Sequence, residues 1–420
     1  MVYDLIIIGA GASGLAAACK GIMENAKCKI LVLEKEAIAG RKFRAAGNGK
    51  CNLTNSEFNG KCYHSQNQTF IDNWTKQHSY RDLIDFMDSM GICLYEKDGY
   101  YYPLSNQGKQ VTNILYEKSR LAGVEYRFET RVTDIEFADI RGKQQATTDD
   151  AYYAVKAVQN SETYSFLTRN LLIATGGKAT PKLGGCEDGY EICKKMGLKI
   201  INPYPALSPI YVEDQNLSLA KGVRLDATVT LKGEDLDVKE SGQVQFNENS
   251  ISGIVIMNLS CFQNQRKDQE YRMLIDTIPA LSWNHLKEFL LSQKERFPEE
   301  MLILTLGGLL PDAFIRYILK RLRIEQTIPL KNVSEKQLNR LTSALKKLEF
   351  TPVYCEDYDK AQVTGGGIDM EEIRFDSFEC ERFHNLYITG ELLDINGKCG
   401  GYNLTFAIIS GIMAAENIAL

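Results

Sequence analysis

With only two tryptophans and four histidines in 420 residues, and no C-x-x-C spacing, the chain has little material for a metal centre. The histidines, His64, His78, His285 and His384, lie far apart, and the eleven cysteines are scattered from Cys19 to Cys399. Neither a zinc-ligand spacing nor the disulfide framework of a small secreted domain can be read from them. No metal site is expected, and the chain reads as a reduced, cytoplasmic protein. An excess of positive charge is also missing: 49 Lys and Arg stand against 54 Asp and Glu, a formal charge of −5. That balance disfavours a broadly basic nucleic-acid surface and leaves only a local patch open. No run approaches the ~20 apolar residues of a membrane-spanning helix. The most apolar internal run, Met301 to Leu310, is expected to be a buried helix. Leu5 to Ile8, preceded by Asp4 and followed by a glycine turn, does not read as an export signal. Repeats and low-complexity tracts are absent too.

What is there is ordinary globular material, 44% hydrophobic and 25% charged, enough for two or three domains. The opening alternates: an apolar strand over Tyr3 to Ile8, a small-residue helix over Ala12 to Met23, and a strand over Lys29 to Leu33. Such a βαβ unit predicts a parallel sheet with a right-handed crossover. Helical spacing recurs over Asp82 to Met90 and Val111 to Ala122. Strand character then returns at Tyr126 to Phe128, Val132 to Phe137, Ala151 to Val158 and Tyr164 to Leu167, the pattern of a β-meander. It ends in a separate strand, Leu171 to Ala174, that stops at Thr175-Gly176-Gly177.

After about residue 200, Val/Thr/Leu alternation over Val212 to Val238 and Gly242 to Phe246 predicts a small antiparallel sheet or barrel. Helices are expected over Trp283 to Phe297, Asp312 to Leu322 and Ser334 to Leu348, the last with Ser334 as N-cap and Gln337 at the capping-box position. Strand and glycine signals resume near Thr351, with a strand over Asn385 to Thr389 and a closing helix over roughly Leu404 to Ile418. The expected organisation is one α/β domain from residues 1–195 and 351–420, interrupted by a β-rich part (196–280) and a helical part (281–350).

The sharpest local signal is Gly9-Ala10-Gly11-Ala12-Ser13-Gly14. It follows a strand, opens a helix, and has Glu34 ending the next strand 34 − 14 = 20 positions on. Gly9 permits the tight turn, Gly11 lets the backbone approach a pyrophosphate, and Gly14 lets the helix pack on the sheet. The helix start offers unpaired N–H groups to the phosphates. Glu34, followed by Lys35, can accept both hydroxyls of an adenosine ribose and would repel a phosphorylated one. FAD is preferred over NAD. The motif opens the chain, the meander strand ends at Gly176, and Tyr387-Ile388-Thr389-Gly390-Glu391 returns a strand ending in glycine and acid.

Two further blocks carry chemistry. Gly40 to Asn55 gathers Arg41, Lys42, Arg44 and Lys50 with Gly47, Gly49, Asn48, Asn52 and Asn55. Cations offset the charge of a diphosphate, while glycines and amides can ring a flat heteroaromatic system. Cys51 is the one thiol inside this block; packing and redox roles both remain open for it. In Gly390 to Leu404, Gly400-Gly401 lead into the last helix, whose dipole can stabilise negative charge on a reduced flavin ring. Asp394 or Glu391 can bond the ribityl chain. Val363 to Ile368 is glycine-rich but lacks the spacing of a second nucleotide fold, so a nicotinamide donor, NADH or NADPH, would dock transiently.

These blocks, with Pro203-x-Pro205-Ala206-Leu207-x-Pro209 and Gly184 to Tyr190, resemble the YhiN/BaiN-like bacterial flavoproteins, also called NAD(P)/FAD-dependent oxidoreductases or the aminoacetone oxidase family. The resemblance implies an FAD domain of the glutathione reductase and fumarate reductase type, with an inserted β-barrel-like domain and a helical domain. It places FAD contacts on Ala12, Ser13, Glu34, Arg41, Lys42, Asn48, Asn52, Val132, Asp394, Asn403 and Leu404. The chain departs from the pattern at Lys50, where relatives commonly carry Arg, and at Lys398-Cys399, where an aromatic and Thr are usual. The second departure lies near the expected flavin face, so no single member's substrate carries over.

The function expected is NAD(P)H-driven reduction of a conjugated C=C bond in an enone-like, steroid-like molecule, with Tyr402 or a water protonating the α-carbon. Saturation of uridine in RNA is the same chemistry on a larger substrate. Oxidation of an amine or amino-ketone with O₂, and a non-enzymatic FAD-containing binding module, are the other readings.

Overall fold

The computed structural model describes residues 2–139 and 151–418. The chain divides into two compact units, Met1–Pro205 with Tyr358–Leu420, and Ala206–Asp357.

The first unit opens on Val2–Ile8 (β1), Ala12–Glu24 (α1) and Ile30–Leu33 (β2), with β1 and β2 parallel and Leu5 opposite Ile30. A strand covered on both faces needs apolar residues at successive positions, and Leu5 to Ile8 and Ile30 to Leu33 are all buried. Arg41–Ala45 (α2), Thr54–Asn55 (β3), Tyr63–His64 (β4), Gln68–Gln77 (α3) and Tyr80–Ser89 (α4) follow. Next come the hairpin Leu94–Lys97 (β5) and Tyr100–Pro103 (β6), and then Gly108–Leu121 (α5). Glu125–Arg127 (β7) joins β2 in parallel. Arg131–Asp139 (β8), Ala151–Gln159 (β9) and Glu162–Ile173 (β10) form the expected meander, and β10 lies parallel to β1, Ile8 opposite Ile173. The sheet runs β7-β2-β1-β10-β9-β8.

One expectation fails here. Tyr164–Leu167 and Leu171–Ala174 are a single strand, because the polar residues between them are satisfied without a break. Thr168 Oγ1 donates to the carbonyls of Asn170 (2.7 Å) and Tyr3 (3.3 Å), and Asn170 Nδ2 donates to Asp4 O at 2.9 Å. Helix Asp188–Lys195 (α6), not expected from the sequence, precedes Ile200–Ala206 (β11).

The second unit contains Ile210–Val212 (β12), Arg224–Lys232 (β13), Asp237–Phe246 (β14), Ser250–Ser252 (β15), Ile254–Gln265 (α7) and Arg272–Asp276 (β16). Four helices follow: Trp283–Arg296 (α8), Leu302–Gly307 (α9), Asp312–Leu322 (α10) and Glu335–Lys346 (α11). It closes with Leu348–Phe350 (β17) and Pro352–Val353 (β18). Its strands are ordered β17-β16-β13-β14-β15-β12-β18. The two end strands are separated only by Thr351, so consecutive residues carry the chain from one edge to the other within about 7 Å, and the sheet must curl back on itself. One hydrophobic cluster takes Val229, Phe246 and Ile275 from the strands and Leu290, Phe314 and Leu341 from the helices. The strand-rich and helix-rich stretches therefore share a core. The run Met301 to Leu310 is only a six-residue helix, with Leu302 and Leu306 buried but Leu304 67% exposed.

The chain then returns to the first unit. Val363–Ile368 (β19) pairs with β11, and Leu386–Ile388 (β20) joins Leu171–Ile173 on the edge of β10 that β9 uses further back. Asn396–Gly397 (β21) pairs with β4. Tyr402–Asn417 (α12) starts two residues earlier than expected because Gly401, at φ +95°, is its N-cap.

The capping box of α11 is present: Ser334 Oγ accepts from Gln337 N at 3.2 Å, and Gln337 Oε1 accepts from Ser334 N at 2.9 Å. Ser334→Ala is expected to lower stability by about 1 kcal/mol, read as a shift in urea midpoint at unchanged slope. An unshifted midpoint would show that the cap does not contribute.

Candidate functional site

At the end of β1 the chain turns through Gly9 at φ +103°, where a Cβ would stand 2.4 Å from Ala174 O. A Cβ on Gly14 would stand 2.0 Å from Gly9 O. Gly11 differs: its φ is −77°, and a Cβ there meets nothing within 4 Å among the described residues. Gly11 is the N-cap of α1, with no side-chain cap and no acid in the first turn. The first N–H groups of α1 therefore have no side-chain cap, as a phosphate-binding helix start requires. Ser13 turns its hydroxyl inward instead, donating to Thr389 Oγ1 at 2.7 Å.

Glu34 lies just past β2 with its carboxylate buried. Its oxygens accept from Ala10 N at 2.7 Å and Glu36 N at 2.9 Å, so it ties down the glycine turn. Burial raises its pKa, against the pull of those two amides. Each carboxylate oxygen keeps a second lone pair for a ribose hydroxyl. Lys35 sits 3.9 Å from Glu36. Thr130 N donates to Glu34 O at 2.9 Å, which brings the start of β8, and with it buried Val132, to this end of the sheet. At the end of β10, a Cβ on Gly176 (φ +74°) would meet nothing within 4 Å, and Thr175 Oγ1 is buried without a hydrogen-bond partner among the described residues.

The cationic block forms the short helix α2, which sequence reasoning missed. Arg41 pairs with Glu36 and donates to Lys182 O at 2.8 Å. Lys42 Nζ grips both oxygens of Glu391, at 2.8 and 2.7 Å, so the pair is neutral as it stands. Glu391 Oε1 also accepts from Thr364 N at 2.9 Å. Gly47, Asn48 and Gly49 run through the left-handed region at φ 57°, 54° and 84°, with Asn48 exposed. Cys51 is fully buried and burial pushes its thiol up to about 12, which fits a packing role. Asn52 Oδ1 is buried with no partner among the described residues.

The closing block meets both. Gly390 (φ +73°) lies against Ser13, its N–H donating to Ser410 Oγ at 3.1 Å. Asp394 is buried and accepts from Gln66 N at 2.8 Å and Ser65 Oγ at 3.3 Å; desolvation raises its carboxyl from 3.8 to about 6. Gly401 allows α12 to start against β3: a Cβ there would stand 2.6 Å from Thr54 N. Asn403 is committed to the turn, with Oδ1 accepting from Gly397 N (2.8 Å) and Nδ2 donating to Gly397 O (2.9 Å). Leu404 is half-buried. Tyr402 is buried; its ring packs edge-on to Tyr63 at 5.7 Å and its phenol, raised chiefly by burial, lies beside Cys62.

Contacts thus join the three blocks: Ser13 to Thr389, Lys42 to Glu391, and Thr54 Oγ1 to Thr405 Oγ1 at 2.8 Å. Buried oxygens lacking partners at Asn52 and Thr175, open Cβ directions at Gly11 and Gly176, and two helix starts without side-chain caps fit a dinucleotide with a diphosphate and a polar ring system. Ser65 and Gln66 were not singled out from sequence, since no motif marks them, and Thr175 and Thr364 lay in glycine-rich stretches without a role of their own.

Gly11→Val is expected to leave stability within about 1 kcal/mol while abolishing bound flavin, because its side chain enters only open space. Gly14→Ala, aimed at a backbone oxygen, should cost roughly 1–3 kcal/mol. Flavin content and urea unfolding of both variants check this; full flavin in Gly11→Val contradicts it.

Asp394 holds its proton more tightly folded than unfolded, so the flavin-free chain loses stability as pH rises from about 4 to about 6 and stays penalised above. Asp394→Asn should gain on the parent by on the order of 2–3 kcal/mol across that window. Urea midpoints against pH test this, and a pH-independent difference sinks it.

A family model described as HI0933-like protein Rossmann domain matches residues 3–417. The chain is 30% identical over 416 residues to the 3-dehydro-bile acid delta(4,6)-reductase of Clostridium scindens, covering 98% of each. It is 29% identical over 418 residues to the ribosomal RNA dihydrouridine synthase of Haemophilus influenzae, covering 99% of this chain and 98% of that one. Among solved structures, 3-ketosteroid delta1-dehydrogenase of Sterolibacterium denitrificans has a TM-score of 0.54 at 11% identity, covering 100% and 99%, a likeness of fold. The expected α/β FAD-binding Rossmann class and the YhiN/BaiN-like resemblance both hold. Matched from the first strand to the closing helix, the chain belongs to the HI0933-like Rossmann family.

Proposed function

We propose that this FAD-dependent oxidoreductase saturates a C=C bond conjugated to a carbonyl in a small molecule, with NADH or NADPH as the transient electron donor. The observation that carries the reading is the 30% identity, over 98% of both chains, with a protein named for reducing a 3-dehydro-bile acid. Bound FAD supplies the two-electron centre between nicotinamide and substrate.

The chain's residues bind and tune. The start of α1 receives the diphosphate, with Glu34 on the ribose, while Lys42 and Glu391 hold the two motif loops together as a neutral pair. The start of α12, capped by Gly401 rather than a side chain, presents N–H groups and the positive end of a 16-residue helix to charge that builds beside it. Asn403 fixes the preceding turn through Gly397, so these donors are set before the reaction. The proton added at the α-carbon is assigned to water, since the Tyr402 phenol is turned into the packing around Cys62 and Tyr63.

A second reading is the same addition across the C5=C6 bond of uridine in ribosomal RNA, supported by the 29% identity with a protein of that name. The net charge of −5 weighs against it.

Anaerobic holoprotein should bleach with NADH or NADPH and recolour on addition of a steroid enone, with formation of the saturated ketone. Recolouring by a uridine-containing ribosomal RNA fragment alone would favour the second reading. Bleaching by an amine and not by nicotinamide would overturn both.

A further inference from the structure

The hairpin β5–β6 carries Tyr95, Tyr100, Tyr101 and Tyr102, and strand alternation sorts them onto two faces. Tyr101 lies on one face, opposite Thr54 of β3 and 5.5 Å from the Tyr80 ring. Tyr100 and Tyr102 share the other face, where Tyr95 lies opposite Tyr102, their rings 5.8 Å apart and inclined by only 29°. All three are half-buried, and Tyr95 is steadied by its hydroxyl donating to Asn106 Oδ1 at 2.7 Å. The inner end of this strip meets the closing turn: a Cβ on Gly400 would stand 3.4 Å from Tyr100 Cε1. A row of aromatic faces therefore runs outward from the start of α12, over a two-residue strand step of about 7 Å.

Charge on the strip narrows its occupant. Lys97 stands opposite Tyr100 on the same face, but the carboxylates of Glu57 and Asp98 act on Tyr100, and Asp98 acts also on Tyr102. One cation among two carboxylates does not attract a phosphate chain. Flat rings of low charge, laid on tyrosine faces with hydroxyls at their edges, suit it well.

We propose that Tyr100, Tyr102 and Tyr95 form the platform on which an uncharged fused-ring enone lies, its reactive ring at the Gly400-Gly401 turn and its remaining rings over Tyr102 and Tyr95. This rests on the enone-reductase reading and assigns it a substrate class and the residues that select for size. The platform acts on binding, so its loss weakens fused-ring substrates and spares a one-ring enone that ends at the turn.

The test uses dithionite-reduced holoenzyme under anaerobic conditions, mixed with 4-androstene-3,17-dione or with 2-cyclohexen-1-one, following flavin reoxidation against substrate concentration. Tyr102→Ala and Tyr95→Ala should raise the half-saturating steroid concentration about tenfold each, with that for cyclohexenone changed less than about twofold and flavin content unchanged. Tyr100→Phe should keep steroid half-saturation near the parent value, because the ring and not the hydroxyl carries the contact. Turnover by the parent with equal effects of the alanine variants on both substrates, or none on either, overturns the platform and leaves the reductase reading standing. A parent enzyme that reduces neither enone overturns both. Weakened binding of a uridine-containing RNA hairpin in these variants, with steroid unaffected, assigns the strip to nucleic acid and overturns the proposal.

Discussion

Where β1 ends, backbones meet with no side chains between them. A Cβ on Gly9 would strike Ala174 O, one on Gly14 would strike Gly9 O, and one on Gly411 of α12 would stand 2.4 Å from Ser13 O. These three approaches seat α1 on the sheet, β10 beside β1, and α12 across α1. Relax any of them and the loop from Gly390 to Leu404, which follows β20 and leads into α12, moves away from the glycine turn. The first and last parts of the sequence make one site because small residues let three elements come within backbone contact.

The same closeness explains which side chains do structural service in the site. Ser13 of α1 hydrogen-bonds to Thr389 just past β20, Lys42 and Glu391 span 349 residues of sequence, and Thr54 meets Thr405 at the start of the last helix. Each pair locks one motif loop to another. The candidate site is thus lined mostly by backbone and glycine surfaces, with these side-chain pairs holding its loops together. Such a surface is rigid, and its donors need no reorganisation when charge appears beside them.

Much of this could be read from the sequence because it depends on local rules. Gly9 and Gly14 have one backbone task each, continuous apolar runs mark β1 and β2 as doubly buried, and Ser334 with Gln337 announces α11. Long-range facts could not be read. Glu34 looked like a ribose acceptor, and nothing nearby indicated that its own glycine turn would share the carboxylate. Tyr402 stood in the right block, but its burial depends on Tyr63 of β4, 339 residues away. The polar stretch Thr168 to Asn170 looked like a strand break because its acceptors belong to β1. The mixed core of the second unit was hidden for the same reason, since its strands and helices occupy separate stretches of sequence.

Several costly features fall in or beside the motif blocks. Glu34 and Asp394 are buried carboxylates whose ionised forms are disfavoured by desolvation, and Asn52 and Thr175 carry buried oxygens without partners among the described residues. Each such feature costs stability. Natural chains tolerate them where function requires it. All four lie in or beside the three motif blocks, and they are the acceptor groups that a ribose, a ribityl chain and a ring edge carrying N–H groups would satisfy. The flavin-free fold is therefore poised below its full stability, and binding a group that supplies those donors stabilises the fold by mass action as well as loading the enzyme.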